Sequence, residues 1–224
     1  VCDAEGLWLH VDGAYGAVAA ALPELAEATA GLARARSMAL DAHKWLSVPI
    51  ECGCALVRDG ALLRDAFSLV PPYLRTEEGK GFGGLPWFSE YGPQQTRGFR
   101  ALKFWMTLRT AGREGIEAMI RRNIAMARRL AERVDAAPDL ERLAPAPLSI
   151  VCFRYVPTEW RGGDERLDAI NRRVVERIQS GGEAFLSSTL VGGRFALRAC
   201  VLHYATGEAD VDALSDLARR VGAE

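Results

Sequence analysis

At 224 residues the chain is long enough for one large domain or two small ones with a sizeable buried core, and 49% apolar with 25% charged residues excludes a disordered or collagen-like polymer. Its 28 basic and 29 acidic side chains leave a formal net charge of −1, which excludes a broad electrostatic footprint for nucleic acid or anionic lipid. The five cysteines are odd in number and sit in apolar runs, so no disulfide framework is expected, and the chain lacks both the roughly 20-residue apolar stretch of a membrane span and the pattern of a signal peptide. These features lead us to expect a cytoplasmic protein without nucleic-acid or membrane partners.

The chain opens on Val1 and runs at once into an alternating apolar stretch, Leu7–Val11, that reads as a strand. An opening strand needs neighbours, so the chain is expected to be the carboxyl-terminal part of something longer. Pro23–Ala35, alanine-rich with proline at its start, predicts a helix. Strands follow at Ser37–Leu40 and Cys52–Val57. Val70–Pro93, rich in glycine and proline, is too long for an ordinary connector, and such loops are usually functional or disordered. Ile116–Val134 places Ile120, Ile124, Ala127 and Leu130 at helical spacing, with Arg121, Arg122, Arg128 and Arg129 on a solvated face. Asp135–Pro147, with three prolines, reads as a boundary. Beyond it come a strand at Ser149–Tyr155, a helix at Glu165–Gln179, strands at Ala184–Leu190 and Phe195–His203, and a helix at Asp210–Val221. The order implies part of a large α/β sheet over residues 1–135, including a mobile loop at 70–93, and a small α+β domain over 136–224.

Two segments carry candidate chemistry, His10-Val-Asp-Gly-Ala-Tyr15 and Asp41-Ala-His-Lys-Trp-Leu46. In the first, an acid ends an apolar strand, at the carboxyl edge where α/β sheets hold ligands. Alone, Asp12 reads equally as a turn former. In the second, Lys44 follows another strand; alone it reads as a surface amine lying over Trp45. Together they suit one reaction: a lysine amine forms a Schiff base with an aldehyde cofactor, and a carboxylate keeps the cofactor's pyridine nitrogen protonated.

With Pro72-Tyr-Leu74, Gln95-Thr-Arg-Gly-Phe-Arg-Ala-Leu-Lys-Phe-Trp105 and Phe195-Ala-Leu-Arg-Ala-Cys200, these segments stand in an order and spacing that resembles the group II pyridoxal-phosphate-dependent amino-acid decarboxylases, the family of aromatic-L-amino-acid decarboxylase. The resemblance implies an aspartate-aminotransferase-like α/β fold, comprising the second half of the large domain plus the small carboxyl-terminal domain. It implies pyridoxal 5'-phosphate as cofactor and decarboxylation of an L-amino acid, expected to be aromatic, to the amine and carbon dioxide. Residue by residue, it makes Lys44 the Schiff-base lysine, Asp12 the partner of the pyridine nitrogen and Ala14 the packing against the ring. His43 would lie near the phosphate, with a structural hydrogen-bonder as the other reading. Tyr73 matches the mobile-loop tyrosine that protonates the substrate carbon after carbon dioxide leaves; family members with phenylalanine there are oxidative aldehyde synthases. Gln95–Trp105 resembles the dimer-interface segment, with Thr96 as a candidate cofactor contact in a homodimer. Leu102, Phe104 and Trp105 read more simply as core, and His10 and His203 as satisfied structural histidines. Arg198 matches an arginine near the active-site mouth, and a structural ion pair explains it as well. No metal is expected.

The family's phosphate cup and ring-stacking histidine lie before the strand that opens this chain, so weak cofactor retention and little or no turnover are expected of the chain by itself. Three readings stay open: decarboxylase; aldehyde synthase or another lyase using the same cofactor; and a non-catalytic remnant that keeps the fold as an interaction domain.

Overall fold

The structure, a computed structural model, describes residues 1–69, 87–160 and 162–224. Seven strands and five helices are described: β1 (His10–Asp12), α1 (Ala26–Thr29), β2 (Ser37–Asp41), β3 (Gly53–Val57), α2 (Gly60–Phe67), α3 (Arg100–Ala136), β4 (Leu140–Arg142), β5 (Ile150–Tyr155), α4 (Asp164–Gly181), β6 (Ser187–Val191), β7 (Arg194–Cys200) and α5 (Glu208–Ala223). The chain divides into two compact units, Val1–Gly112 and Arg113–Glu224. The division falls at Gly112, inside α3, whose backbone there takes φ 67°, ψ 174°. Such a positive φ suits glycine and interrupts the helix.

In the first unit, β2 is the central strand, parallel to β1 and antiparallel to β3. The segment predicted as one helix, Pro23–Ala35, is instead a 3₁₀ turn at Pro23–Leu25, the single turn α1, and another 3₁₀ turn at Ala30–Arg34. Thr29 explains part of this: its hydroxyl donates to the Leu25 carbonyl at 2.8 Å, a bond that competes with regular helix geometry, and Gly31 follows two residues on. The pattern also missed α2, which Asp59 caps by accepting the Ala61 N–H at 2.9 Å. The far end of the predicted loop is ordered, since Phe88–Tyr91 forms a 3₁₀ turn whose buried Glu90 accepts from the Ser68 hydroxyl at 2.8 Å. The earlier part of that loop, with Tyr73, lies outside the described residues.

The second unit holds an antiparallel sheet in the order β4-β5-β7-β6. Strand alternation sends Val151, Phe153 and Tyr155 of β5 and Phe195, Leu197 and Ala199 of β7 into one core with Leu130 and Val134 of α3, Val174 and Ile178 of α4, and Val211, Leu217 and Val221 of α5. That packing puts the second half of α3 with the carboxyl-terminal unit, so the compact units part before the proline-containing segment that composition marks. Within that segment β4 pairs with β5, Leu140 opposite Tyr155. Three residues between prolines are too few for periodicity to reveal. Buried Asn171 of α4 closes the end of β5, accepting from the Tyr155 N–H at 2.7 Å and donating to its carbonyl at 2.9 Å. All five cysteines are free thiols. No helix among the described residues is long and apolar enough to cross a membrane.

Candidate active site

β1 and β2 run parallel in the register His10 opposite Ser37 to Asp12 opposite Ala39, so the chain leaves both at the same sheet edge. Asp12 is the last residue of β1 and is exposed. The backbone turns at once: the Gly13 N–H donates to the Val11 carbonyl at 3.0 Å, and Asp12 Oδ1 accepts the Ala14 N–H at 3.1 Å. Gly13 lets this turn press against β2. A Cβ at that position would stand 2.6 Å from Ala17 Cβ and 2.9 Å from the Ala39 carbonyl oxygen, and the backbone oxygen cannot give way cheaply. The Ala14 carbonyl in turn accepts the Asp41 N–H at 3.3 Å, which ties the turn after β1 to the end of β2.

The turn after β2 is held from within. Ala42 and Trp45 are fully buried and bracket His43 and Lys44, which are half-buried. Trp45 packs on Tyr15 with ring centroids 5.9 Å apart, a second tie to the Asp12 turn. Trp45 is therefore a core anchor and not a surface over which Lys44 lies. The Lys44 Nζ stands 2.7 Å from Asp41 Oδ2. His43 Nδ1 accepts the Cys52 N–H at 3.1 Å, so the neutral ring carries its proton on Nε2. On the same loop the Arg100 guanidinium hydrogen-bonds Glu51 and holds its carboxyl below the usual carboxylate range. Asp41 and Gly13 belong to the matching segments but were given no role from sequence. The signals were there: an acid three residues before the lysine, and a glycine directly after the strand-end acid.

The other candidates lie elsewhere. Thr96 is exposed in the stretch ahead of α3, and among the described residues no hydrogen bond joins it to the Asp12 or Lys44 turns. Arg198, on β7 of the second unit, directs Nη1 toward Ser187 Oγ at 3.5 Å. His10 Nδ1 and Ser37 Oγ lie 2.7 Å apart, and His203 Nδ1 accepts the Ala205 N–H at 3.2 Å, so both histidines are satisfied as expected. Two residues read as core are not buried: Leu102 is 44% and Trp105 59% exposed, beside Phe99 at 75%. Their spacing makes an apolar stripe on the first half of α3, and periodicity alone does not say which chain covers such a stripe.

Solved structures with this backbone include pyridoxal-phosphate decarboxylases of the aspartate-aminotransferase-like fold. The structure of Oryza sativa TDC with PLP and tryptamine matches 99% of this chain and 46% of its own, with TM-score 0.89 and 30% identity. Residues 1–156 match the pyridoxal-dependent decarboxylase conserved domain, and the chain belongs to that family, whose cofactor is pyridoxal phosphate. Among curated relatives, an aromatic-L-amino-acid decarboxylase of Bacillus atrophaeus is 35% identical over 91% of this chain and 42% of its own length. A phenylacetaldehyde synthase of Arabidopsis thaliana is 30% identical over 90% of this chain and 40% of its own. The chain thus spans less than half the length of these relatives.

Proposed function

We propose that the protein is a pyridoxal-phosphate-dependent decarboxylase of an aromatic L-amino acid, releasing the amine and carbon dioxide, with Lys44 as the covalent point of attachment. One observation carries this reading: Asp12 and the Lys44 turn leave adjacent parallel strands at one edge, joined by the Asp41–Ala14 bond. The donor set suits the cofactor, with a primary amine for its aldehyde, a carboxylate for its ring N–H and an imidazole N–H for a phosphate oxygen. When bound, the cofactor supplies an electron sink for the pair left on the α-carbon as carbon dioxide departs. Asp12 accepts the ring N–H and keeps that nitrogen protonated, because a neighbouring anion favours the cation. Ala14 leaves space for a flat ring, and His43 donates from Nε2. Tyr73 delivers the proton to the α-carbon, and Thr96 serves the site of a second copy in a cytoplasmic homodimer built on the apolar stripe of α3. In the same proposal residues 1–135 belong to the cofactor-binding domain and 136–224 to the small domain.

The test is to incubate the protein with pyridoxal phosphate and L-tryptophan or L-tyrosine and measure carbon dioxide, amine, ammonia and hydrogen peroxide. Whatever turnover the chain supports should give amine and carbon dioxide in equal amounts, without peroxide. Peroxide and ammonia would make it an aldehyde synthase, the activity named for the Arabidopsis relative. No product of either kind, together with no borohydride-trapped cofactor adduct on Lys44, would leave the interaction remnant.

A further inference from the structure

We propose that Asp41 is the proton acceptor and donor for Lys44 when its amine bonds to an aldehyde, an inference that rests on Lys44 being the attachment point. Three observations carry it. Asp41 Oδ2 is 2.7 Å from the Lys44 Nζ, a direct contact with the atom that must react. The backbone of Asp41 is pinned on both sides, its N–H donating to the Ala14 carbonyl at 3.3 Å and its carbonyl accepting the Lys44 N–H at 3.0 Å, so the carboxylate sits at a fixed place beside the amine. The residue opposite Asp41 on β3 is Gly53, and a Cβ there would come within 3.3 Å of Asp41 Oδ1; glycine leaves the carboxylate its room. Neither group is sealed off: the Lys44 side chain is 40% and that of Asp41 25% exposed, so a ligand can reach the pair.

The chemistry requires such a group. A lysine ammonium has no lone pair with which to attack a carbonyl, so one proton must leave the nitrogen first. Asp41 takes it, and the neutral amine forms its bond to the aldehyde carbon. The nitrogen's second proton and the one held by Asp41 then leave with the carbonyl oxygen as water, while a C=N bond forms. If the nitrogen keeps its last proton, charge balances from start to finish: one ammonium and one carboxylate enter, one protonated C=N and one carboxylate remain. The same carboxylate serves the reverse step. A general acid–base group speeds attachment and release alike and leaves the equilibrium between them unchanged. A merely structural ion pair has no such signature.

The sequence has three lysines, Lys44, Lys80 and Lys103, which makes the test clean. The protein is mixed with pyridoxal phosphate, quenched with borohydride at timed intervals, and the label on each lysine is quantified by peptide mass spectrometry. Asp41→Asn should slow labelling of Lys44 by about tenfold or more, reach the parent's final extent, and leave Lys80 and Lys103 labelling as in the parent. Asp41→Glu should recover part of the rate, and formate should accelerate Asp41→Ala, which serves as the second variant if Asp41→Asn unfolds. Parent-like rates in Asp41→Asn, or a lower final extent reached at the parent's rate, overturn the proposal while leaving Lys44 as the attachment point. No label on Lys44 in the parent overturns both.

Discussion

The two units solve the burial problem to different degrees. Among the described residues, fourteen large apolar side chains of Val1–Gly112 are exposed, from Val1 and Leu7 to Met106 and Leu108, against Phe185, Leu190 and Tyr204 in Arg113–Glu224. The second unit covers one face of a four-stranded antiparallel sheet with three helical segments and makes a continuous core. The first unit has three strands, and its most deeply buried large apolar side chains are Trp45, Leu22 and Val48. The candidate chemistry sits in the less buried unit. That is physically coherent, because groups that must meet a ligand or a second chain cannot be sealed inside their own core. The local ties at the site compensate: Gly13 against Ala39, Asp41 to Ala14, Trp45 against Tyr15.

Four substitutions sharpen or break this contrast. Phe153→Ala removes a fully buried ring from the second core and should cost about 3–5 kcal/mol, read by urea unfolding; a loss under about 1 kcal/mol would mean that unit is not the well-packed one. Gly13→Ala forces a methyl against Ala17 and the Ala39 oxygen and should cost about 1–3 kcal/mol by the same measurement, with weaker cofactor retention. Trp105→Ala should change the stability of a single chain by less than about 0.5 kcal/mol yet weaken self-association in sedimentation; a large fall in stability with unchanged association would return Trp105 to the core.

The smallest effect concerns pH. Hydrogen bonding from Arg129 of α3 holds the Asp212 carboxyl of α5 below the usual carboxylate range. A carboxyl depressed in the folded state adds stability above its unfolded value and loses it as pH falls through the folded one. Asp212→Asn should therefore lower the Tm slightly at neutral pH, and the difference should vanish in strong acid. A constant difference across pH would assign the effect to packing.

Much of this was legible because it is local. Alternation placed β2, β3, β5 and β7 within a few residues of their bounds, and the two turn segments singled out Asp12, His43 and Lys44. What escaped depends on pairing. The role of Asp41 needs the bend that brings its carboxylate onto Nζ and the β3 register that sets Gly53 opposite it. Gly13 acquires meaning only from the Ala39 oxygen on a neighbouring strand. Leu102 and Trp105 have the spacing of a buried face, and hydrophobic pattern does not distinguish burial within a chain from burial between chains.

The most direct test is a crystal structure of the protein grown with pyridoxal phosphate. Continuous density from the Lys44 nitrogen into the cofactor, with the ring nitrogen at hydrogen-bonding distance from the Asp12 carboxylate, is the predicted result. A cofactor bound away from either residue, or an acid and an amine opening into separate cavities, would contradict the account.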